Sequence, residues 1–211
     1  MSIRAAFFDF GGVILSSPFE AFNAFEDRNG LPRDLIRTVN STNPDTNAWA
    51  RYERSDIGFD EFCDLFEAEC RELGHDVAAR DLMPLLMGEI RPEMVEAVRR
   101  CSEHLTTACL TNNWVSHQDR PPEREASGVD EVLSLFEHVI ESSVIGVRKP
   151  DPRFYEIACE RADVDPAEVV FLDDLGVNLK PAAAMGMTTI KVVDPVDALH
   201  HLEQVVGFPL A

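Results

Sequence analysis

Hydrophobic residues follow two different patterns along this chain. Short runs that are apolar at most positions are typical of strands buried on both faces of a sheet. They lie at 3–8, 105–110, 138–141, 169–172 and 188–193. Segments with an apolar residue every three or four positions are typical of amphipathic helices. They lie at 92–103, 152–162, 175–185 and 196–206. This alternation predicts an α/β fold, a doubly wound parallel sheet with helices on both faces.

The segment between the first strand and the first of these helices has a different character. Aromatic residues recur there at helical spacing, in two groups: Phe19, Phe22 and Phe25, and Phe59, Phe62 and Phe66. This spacing predicts helices that share an aromatic interior. The sequence therefore predicts two units, an α/β core formed by 1–16 and 91–211 and an inserted helical cap formed by 17–90.

Charge and cysteine usage restrict the class of protein and its partners. The 211-residue chain carries a formal net charge of −19, and nucleic acid and anionic membranes both require a basic surface. The five cysteines are scattered without a C-x-x-C pair, and no run of about 20 apolar residues could span a bilayer. We therefore expect a cytoplasmic protein, monomeric or homodimeric, that acts on a small molecule.

Polar residues collect where the predicted strands end. Asp9 follows the first strand, the sequence T-N-N (111–113) follows the second, and Asp173 and Asp174 follow the fourth. Taken singly, these residues are typical of turns and helix caps. The carboxyl ends of parallel strands meet at one edge of a sheet, so we expect the carboxylates to crowd together. Crowded carboxylates repel one another unless a cation lies between them, and an all-oxygen ligand set suits Mg²⁺.

Four short motifs occur in an order that resembles the haloacid dehalogenase (HAD) superfamily. They are D-F-G-G-V (9–13), L-T-N-N (110–113), K-P (149–150) and F-L-D-D (171–174). The helical insertion after the first motif is similar to a C1-type cap. Two stretches, 108–114 and 169–182, resemble the N-terminal phosphatase domain of soluble epoxide hydrolase. The resemblance implies a HAD-like Rossmannoid core and covers nearly the whole chain.

The resemblance also implies a role for each motif in a Mg²⁺-dependent phosphohydrolase. Asp9 would be the nucleophile and would form an aspartyl-phosphate with a small phosphate ester. Lys149 would neutralise the charge of Asp9 and of the phosphate. Phosphate oxygens would be bound by Lys149 and by groups of Thr111, Asn112, Phe10 and Gly11. Mg²⁺ would be held by Asp9, the main-chain carbonyl of Gly11 and Asp174, with Asp173 as a further ligand or as the partner of Lys149.

Gly11 departs from the family pattern. Phosphatases of the superfamily carry an aspartate at this position, which protonates the leaving oxygen and then activates water. A glycine keeps the main-chain carbonyl but provides no general acid. This departure predicts slow turnover or a preference for good leaving groups, such as acyl or aryl phosphates. It also leaves two alternatives open: a metal-independent 2-haloacid-type dehalogenase, or a catalytically weak phosphate-binding or regulatory protein.

Substrate selection in the superfamily depends on cap residues. Trp49, Tyr52 and Arg54 lie in a segment that often faces the active site, although a solvated helix is an equal alternative. Trp114, directly after the second motif, is expected either to shape the pocket or to pack. The sequence itself does not name the substrate.

Overall fold

Five short strands form one parallel sheet in the computed structural model, which describes residues 2–113 and 128–210. Their spatial order is β3-β2-β1-β4-β5. The strands are β1 (Ala5–Phe8), β2 (Thr106–Thr111), β3 (His138–Glu141), β4 (Val169–Asp173) and β5 (Thr188–Lys191). The predicted parallel α/β fold is confirmed. Trp114 lies outside the described residues, as does the stretch 118–127, whose polar, proline-containing sequence is typical of a loop.

The register of the sheet determines which residues meet at its carboxyl edge. Phe8, the last residue of β1, is paired with Cys109 of β2 on one side and with Leu172 of β4 on the other. The residues that follow Phe8 and Leu172 are Asp9 and Asp173, so both carboxylates leave the sheet at the same level. The central position of β1 therefore places Asp9 between the ends of its two neighbouring strands.

Both faces of the sheet are covered, because successive strand residues point to opposite sides. Phe7 and Phe171 belong to one buried cluster, whereas Phe8 and Leu172 belong to the other. Three of the covering helices begin with a proline, whose missing N–H costs nothing in the first turn. The helices that follow residue 91 are α5 (Pro92–Ser102), α6 (Val129–Leu133), α7 (Ser142–Ile145), α8 (Pro152–Ala162), α9 (Gly176–Ala184) and α10 (Pro195–Val206).

The segment after β1 forms helices that pack on one another beside the carboxyl edge of the sheet. These are α1 (Pro18–Asn29), α2 (Leu35–Ser41), α3 (Ala48–Glu53), α4 (Phe59–Glu72) and a 3₁₀ helix (Ala79–Leu86). Their interior is aromatic. The ring of Phe62 lies 4.8 Å from that of Trp49 and 4.6 Å from that of Tyr52, centroid to centroid. Both rings are thus buried against the cap helices, so the solvated alternative is wrong for them, while the site-facing alternative stays a prediction.

The third residue of that expectation, Arg54, lies on the surface of the cap. Its guanidinium pairs with the Asp56 carboxylate at 2.8 Å and donates to the main-chain oxygen of Asp45. Arg54 therefore stabilises the turn that follows α3.

Two sets of contacts join the cap to the core. The two segments that lead into and out of the cap pair with each other. Leu15 and Ile90 form an antiparallel bridge, and the N–H of Ser16 donates to the main-chain oxygen of Glu89. At the other contact, the end of α3 reaches the core, where the Glu53 carboxylate lies 2.6 Å from Nε of Arg148. The cap is thus joined to the core at the two connecting segments and again at Arg148, next to Lys149.

The remaining general expectations concern thiols and membrane crossing. All five cysteines are buried and free, as predicted for core thiols. Within the described part of the chain, no helix combines the length and apolar character that crossing a bilayer requires.

Candidate active site

Asp9 is the first residue beyond β1 and is almost completely buried, with 7% of its surface exposed. Its N–H donates to the main-chain oxygen of Leu172 at 2.8 Å, which extends the sheet ladder by one residue and fixes the backbone. Its Oδ1 accepts from the N–H of Phe10 at 2.6 Å and lies 2.8 Å from Nζ of Lys149. Oδ2 is the Asp9 oxygen that these two donors leave available.

Lys149 places a buried ammonium between two carboxylates. Nζ lies 2.8 Å from Oδ1 of Asp9 and 2.8 Å from Oδ2 of Asp173, and only 1% of the side chain is exposed. Burial disfavours the charged form, but the Asp173 and Asp9 carboxylates outweigh that cost and raise the pKa of Lys149. The side chain is therefore a fixed positive charge at the end of β1.

Asp173 has no accessible surface, and both of its oxygens are fully engaged. Oδ1 accepts from the N–H of Leu175 at 2.8 Å and from the Asn178 amide at 3.1 Å. Oδ2 accepts from Lys149 at 2.8 Å and again from Asn178 at 3.1 Å. A carboxylate has about four acceptor positions, and all four are used here. Of its two expected roles, the geometry favours Asp173 as the partner that holds Lys149.

Asp174 is the acid of the cluster with the fewest local donors. No other residue in 2–113 or 128–210 donates a hydrogen bond to its carboxylate. Burial, together with the negative charge of Asp173, raises the pKa of Asp174 to about 6. Gly12 makes room for this side chain, because a Cβ at residue 12 would lie 2.3 Å from Oδ2 of Asp174. Gly12 also has a φ of +76°, which disfavours any other residue.

The Asp9, Asp173 and Asp174 carboxylates form a compact group, with one oxygen of each within 4.8 Å of the others. Burial raises the pKa of Asp9 well above its usual range, Lys149 opposes this, and Asp173 and Asp174 add to it. Asp9 and Asp173 share the Lys149 ammonium and Asp174 adds a third carboxylate, so the negative charges outnumber this ammonium when all three acids are ionised. Oxygen ligands and excess negative charge fit Mg²⁺, and the acids with coordination capacity left are Asp9 and Asp174.

Thr111 and Asn112 lie at the end of β2, at the same edge of the sheet. Thr111 is half-buried and is the last residue of the strand. The side chain of Asn112 is already occupied, since its Oδ1 accepts from the N–H of Lys149 at 2.9 Å and its Nδ2 donates to the Lys149 carbonyl at 3.0 Å. The edge of the sheet thus brings both residues to the predicted place, but it gives Asn112 a partner that the sequence did not indicate.

The turn after Asp9 contains the last two predicted site residues, Phe10 and Gly11. Phe10 is buried and its N–H is directed to Asp9. Gly11 is exposed, has an ordinary φ of −70°, and a Cβ built on it would have no atom within 4 Å. A side chain at residue 11 would therefore extend into open space at the site.

Sequence reasoning missed two side chains that support this group. Arg91, which directly precedes α5, donates from Nη1 to the main-chain oxygen of Gly12 at 2.7 Å and so holds the turn after Asp9. Asn178 donates to both oxygens of Asp173, and its own carbonyl accepts from the buried Tyr155 hydroxyl at 2.7 Å. Asn178 could have been found from its position five residues after Asp173, where the first turn of a helix faces back to the strand end. Arg91 is 82 positions from Asp9 in the sequence, and no local pattern connects them.

Comparison with known proteins gives concordant results. The family profile described as haloacid dehalogenase-like hydrolase matches residues 3–186. Acyl-CoA dehydrogenase family member 10 of Mus musculus is 35% identical over 99% of this chain, and Bifunctional epoxide hydrolase 2 of Sus scrofa is 32% identical over 100% of it. The chain spans only 20% and 40% of those two proteins.

Two further proteins resemble the chain along nearly their whole length. Sesquiterpene phosphatase astK of Aspergillus oryzae is 28% identical over 98% of both chains. Among solved structures, a HAD family enzyme from Bacteroides thetaiotaomicron, in complex with magnesium and inorganic phosphate, superposes with a TM-score of 0.59. It is 22% identical and the match covers 90% of this chain and 94% of that one, so this likeness concerns the fold.

Proposed function

This chain belongs to the haloacid dehalogenase-like hydrolases, and from that premise we propose that it is a Mg²⁺-dependent phosphohydrolase that acts on small phosphate esters. The observation that carries the proposal is the group of three carboxylates around one buried ammonium. The names of two relatives, the sesquiterpene phosphatase and a phosphatase of Mycobacterium tuberculosis, support a phosphate ester as the substrate class.

Asp9 and Asp174, with the main-chain carbonyl of Gly11, would hold Mg²⁺, which would neutralise charge on the phosphoryl oxygens. Asp173 instead fixes Lys149, because its four acceptor positions are filled. This division gives each acid of the pair at 173 and 174 a different task.

Asp9 is the proposed nucleophile, and its oxygen without a donor, Oδ2, is available for attack. Attack on phosphorus forms an aspartyl-phosphate and breaks the bond from phosphorus to the ester oxygen. Lys149, the Thr111 hydroxyl and the main-chain N–H of Gly11 would neutralise and orient the phosphoryl group, since the N–H of Phe10 already donates to Asp9. Water then attacks the aspartyl-phosphate, which releases inorganic phosphate and regenerates the Asp9 carboxylate.

Gly11 sets the limit of this chemistry. Residue 11 has no carboxyl group that could protonate the leaving oxygen, and general acid–base help is worth about 10²–10⁴-fold. We propose that the enzyme favours esters whose leaving oxygen needs no protonation, such as aryl and acyl phosphates.

The test is hydrolysis of p-nitrophenyl phosphate, acetyl phosphate and an alkyl phosphate with Mg²⁺ and with EDTA. We expect turnover with Mg²⁺ that is lost in EDTA and falls by about 10⁴-fold or more in Asp9→Asn. Asp76→Asn, the same change at an exposed turn of the cap, is the matched control and should leave turnover unchanged.

Other outcomes would select other functions. Activity that persists in Asp9→Asn would remove the nucleophile assignment. Halide release from a 2-haloacid in EDTA would establish the metal-independent dehalogenase instead. Binding of phosphate without turnover of any ester would indicate the regulatory alternative.

A further inference from the structure

Lys149 must hold its ammonium at one point, and its own side chain does not guarantee this. The stem has four rotatable carbons, and the residue lies in the stretch between α7 and α8. The ion pairs to Asp9 and Asp173 act on the end of that stem. The position of the ammonium therefore also depends on what holds the Lys149 main chain.

Asn112 is the side chain that holds it. Its amide accepts from the Lys149 N–H at 2.9 Å and donates to the Lys149 carbonyl at 3.0 Å. The two bonds use the donor and the acceptor of one residue, as a paired strand would. Both main-chain polar groups of Lys149 thus bind a single amide, across 37 positions of sequence.

This arrangement gives the Asn112 side chain a use other than the phosphate binding that the motif alone suggests. An amide that already spends its oxygen and one N–H on Lys149 is oriented toward the lysine. We propose that Asn112 is a positioning residue: its side chain sets the place of the Lys149 ammonium and does not grip the phosphate. Asn112 directly follows Thr111, so the end of β2 positions both the Thr111 hydroxyl and the Lys149 main chain.

The expected effect on turnover rests on the proposed function, in which Lys149 takes part in hydrolysis. The effect on the position of the ammonium does not, and it is measured separately. The chain has three lysines, of which Lys149 is buried and Lys180 and Lys191 are exposed. Brief acetylation with an N-hydroxysuccinimide ester, followed by peptide mass spectrometry, compares Lys149 with these two internal references in one sample.

In Asn112→Ala we expect Lys149 to be acetylated about tenfold faster relative to Lys180, because two hydrogen bonds that keep it in place are lost. We expect kcat for p-nitrophenyl phosphate to fall by about 10²-fold, as for a misplaced catalytic group, while KM and the affinity for inorganic phosphate with Mg²⁺ change less than twofold. Asn112→Asp keeps the acceptor for the Lys149 N–H, and we expect it to give an intermediate acetylation rate. It also serves if the alanine variant fails to fold.

Asn47→Ala is the matched control for a general loss of stability. The Asn47 amide also makes three main-chain hydrogen bonds, to Asn40, Thr42 and Ala50, but it lies in the cap. Its loss should leave the ratio of Lys149 to Lys180 acetylation unchanged.

Two results would overturn the inference. One is an unchanged acetylation ratio in Asn112→Ala; the other is a loss of phosphate affinity that accounts for the whole loss of activity. If the wild type hydrolyses no phosphate ester, the proposed function fails, but faster acetylation of Lys149 in Asn112→Ala would still support the positioning role.

Discussion

The cap and the carboxyl edge of the sheet both bury carboxylates, but they treat them in opposite ways. In the cap, Glu26 is completely buried and its two oxygens accept from the main-chain N–H groups of Asp34 and Ile36 at 2.7 and 2.8 Å. At the sheet edge, one oxygen from each of three carboxylates lies within 4.8 Å of the others, and two of the three pair with the Lys149 ammonium. A buried acid with main-chain donors of its own fixes a turn, whereas buried acids that lack enough donors keep the capacity to bind a cation.

The contrast extends to the surroundings of each acid. The cap interior is formed by stacked rings, such as Tyr52 against Phe62 with an interplanar angle of 17°. Glu26 is bound there by two main-chain N–H groups. At the sheet edge, the negative charge of Asp173 raises the pKa of both Asp9 and Asp174, and that of Asp174 also raises the pKa of Asp9. Reactivity therefore follows from crowding as well as from burial.

The largest expected effect comes from removal of the Lys149 ammonium. Lys149→Met leaves the Asp9 and Asp173 carboxylates buried without a counter-charge. We expect the free energy of unfolding at pH 8 to fall by about 3–5 kcal/mol. Part of this loss should disappear at pH 5, where protonation can neutralise the orphaned acids. Denaturant unfolding at both pH values measures it, with the exposed Lys180→Met as the control; equal losses in the two variants would contradict the account.

The second effect concerns Asp174 in buffer without divalent metal. Its pKa is about 6 in the folded chain and near 3.8 when unfolded, so the folded state binds the extra proton between these values. The Asp174 contribution is therefore present at low pH and is lost as the pH rises through 6. Asp174→Asn should match the wild type near pH 3.5 and exceed its stability at pH 7 by at most about 3 kcal/mol.

Addition of Mg²⁺ sharpens this measurement. A cation that binds the folded site should raise the wild-type melting temperature at pH 7, as expected for a ligand of the native state. It should raise that of Asp174→Asn much less. Equal shifts in the two proteins would place the cation elsewhere.

The third effect adds an acid to the sheet edge. Gly11 has an ordinary φ and open space at its Cβ, so Gly11→Asp should fold normally. If the missing general acid limits turnover, kcat on an alkyl phosphate should rise by about 10²-fold, with little change on an aryl phosphate. Gly11→Asn adds the same volume without a titratable group, and a similar rise in that variant would show that proton transfer is not the cause.

The smallest effect belongs to the cap. Glu26→Gln replaces one carboxylate oxygen, which accepts from a main-chain N–H, by an NH₂ donor, and we expect a loss of about 1–3 kcal/mol in the free energy of unfolding. Activity per folded molecule should stay at the wild-type value. Glu20→Gln, on the exposed face of the same helix, is the control for stability. A loss of turnover larger than the loss of folded protein would mean that the cap acid is coupled to the site after all.

Much of the site could be predicted because its acids follow strands. Apolar runs identify parallel strands, and the topology of such a sheet brings their carboxyl ends together. The positions of Asp9, Asp173 and Asp174 in the sequence are therefore sufficient to predict that they lie at one edge. They are not sufficient to separate Asp173 from Asp174, because neighbouring residues of the same type differ only in the partners that the fold supplies.

The contacts between cap and core could not be predicted in the same way. The pair of Glu53 and Arg148 joins residues 95 positions apart, and Ser142 donates from its hydroxyl to the main-chain oxygen of Glu53 at 2.7 Å. Glu53 and Arg148 resemble many exposed charges in this acidic sequence, and neither lies in a repeated pattern. The burial of Trp49 and Tyr52 could not be predicted for a related reason, since the spacing of aromatic residues shows which side of a helix is apolar but not which neighbour covers it.

The sequence by itself determined the parallel sheet, the helical insertion and the gathering of acids at one edge, because each depends on periodicity or on the order of strand ends. Tertiary structure alone decided how those acids divide their work. Asp173 is saturated by Lys149, Asn178 and a main-chain N–H, while Asp174 is left with coordination capacity. The tertiary structure also directs the Asn112 side chain to the Lys149 main chain. Such assignments depend on hydrogen-bond donors that come from distant parts of the chain, and no local sequence pattern identifies those donors.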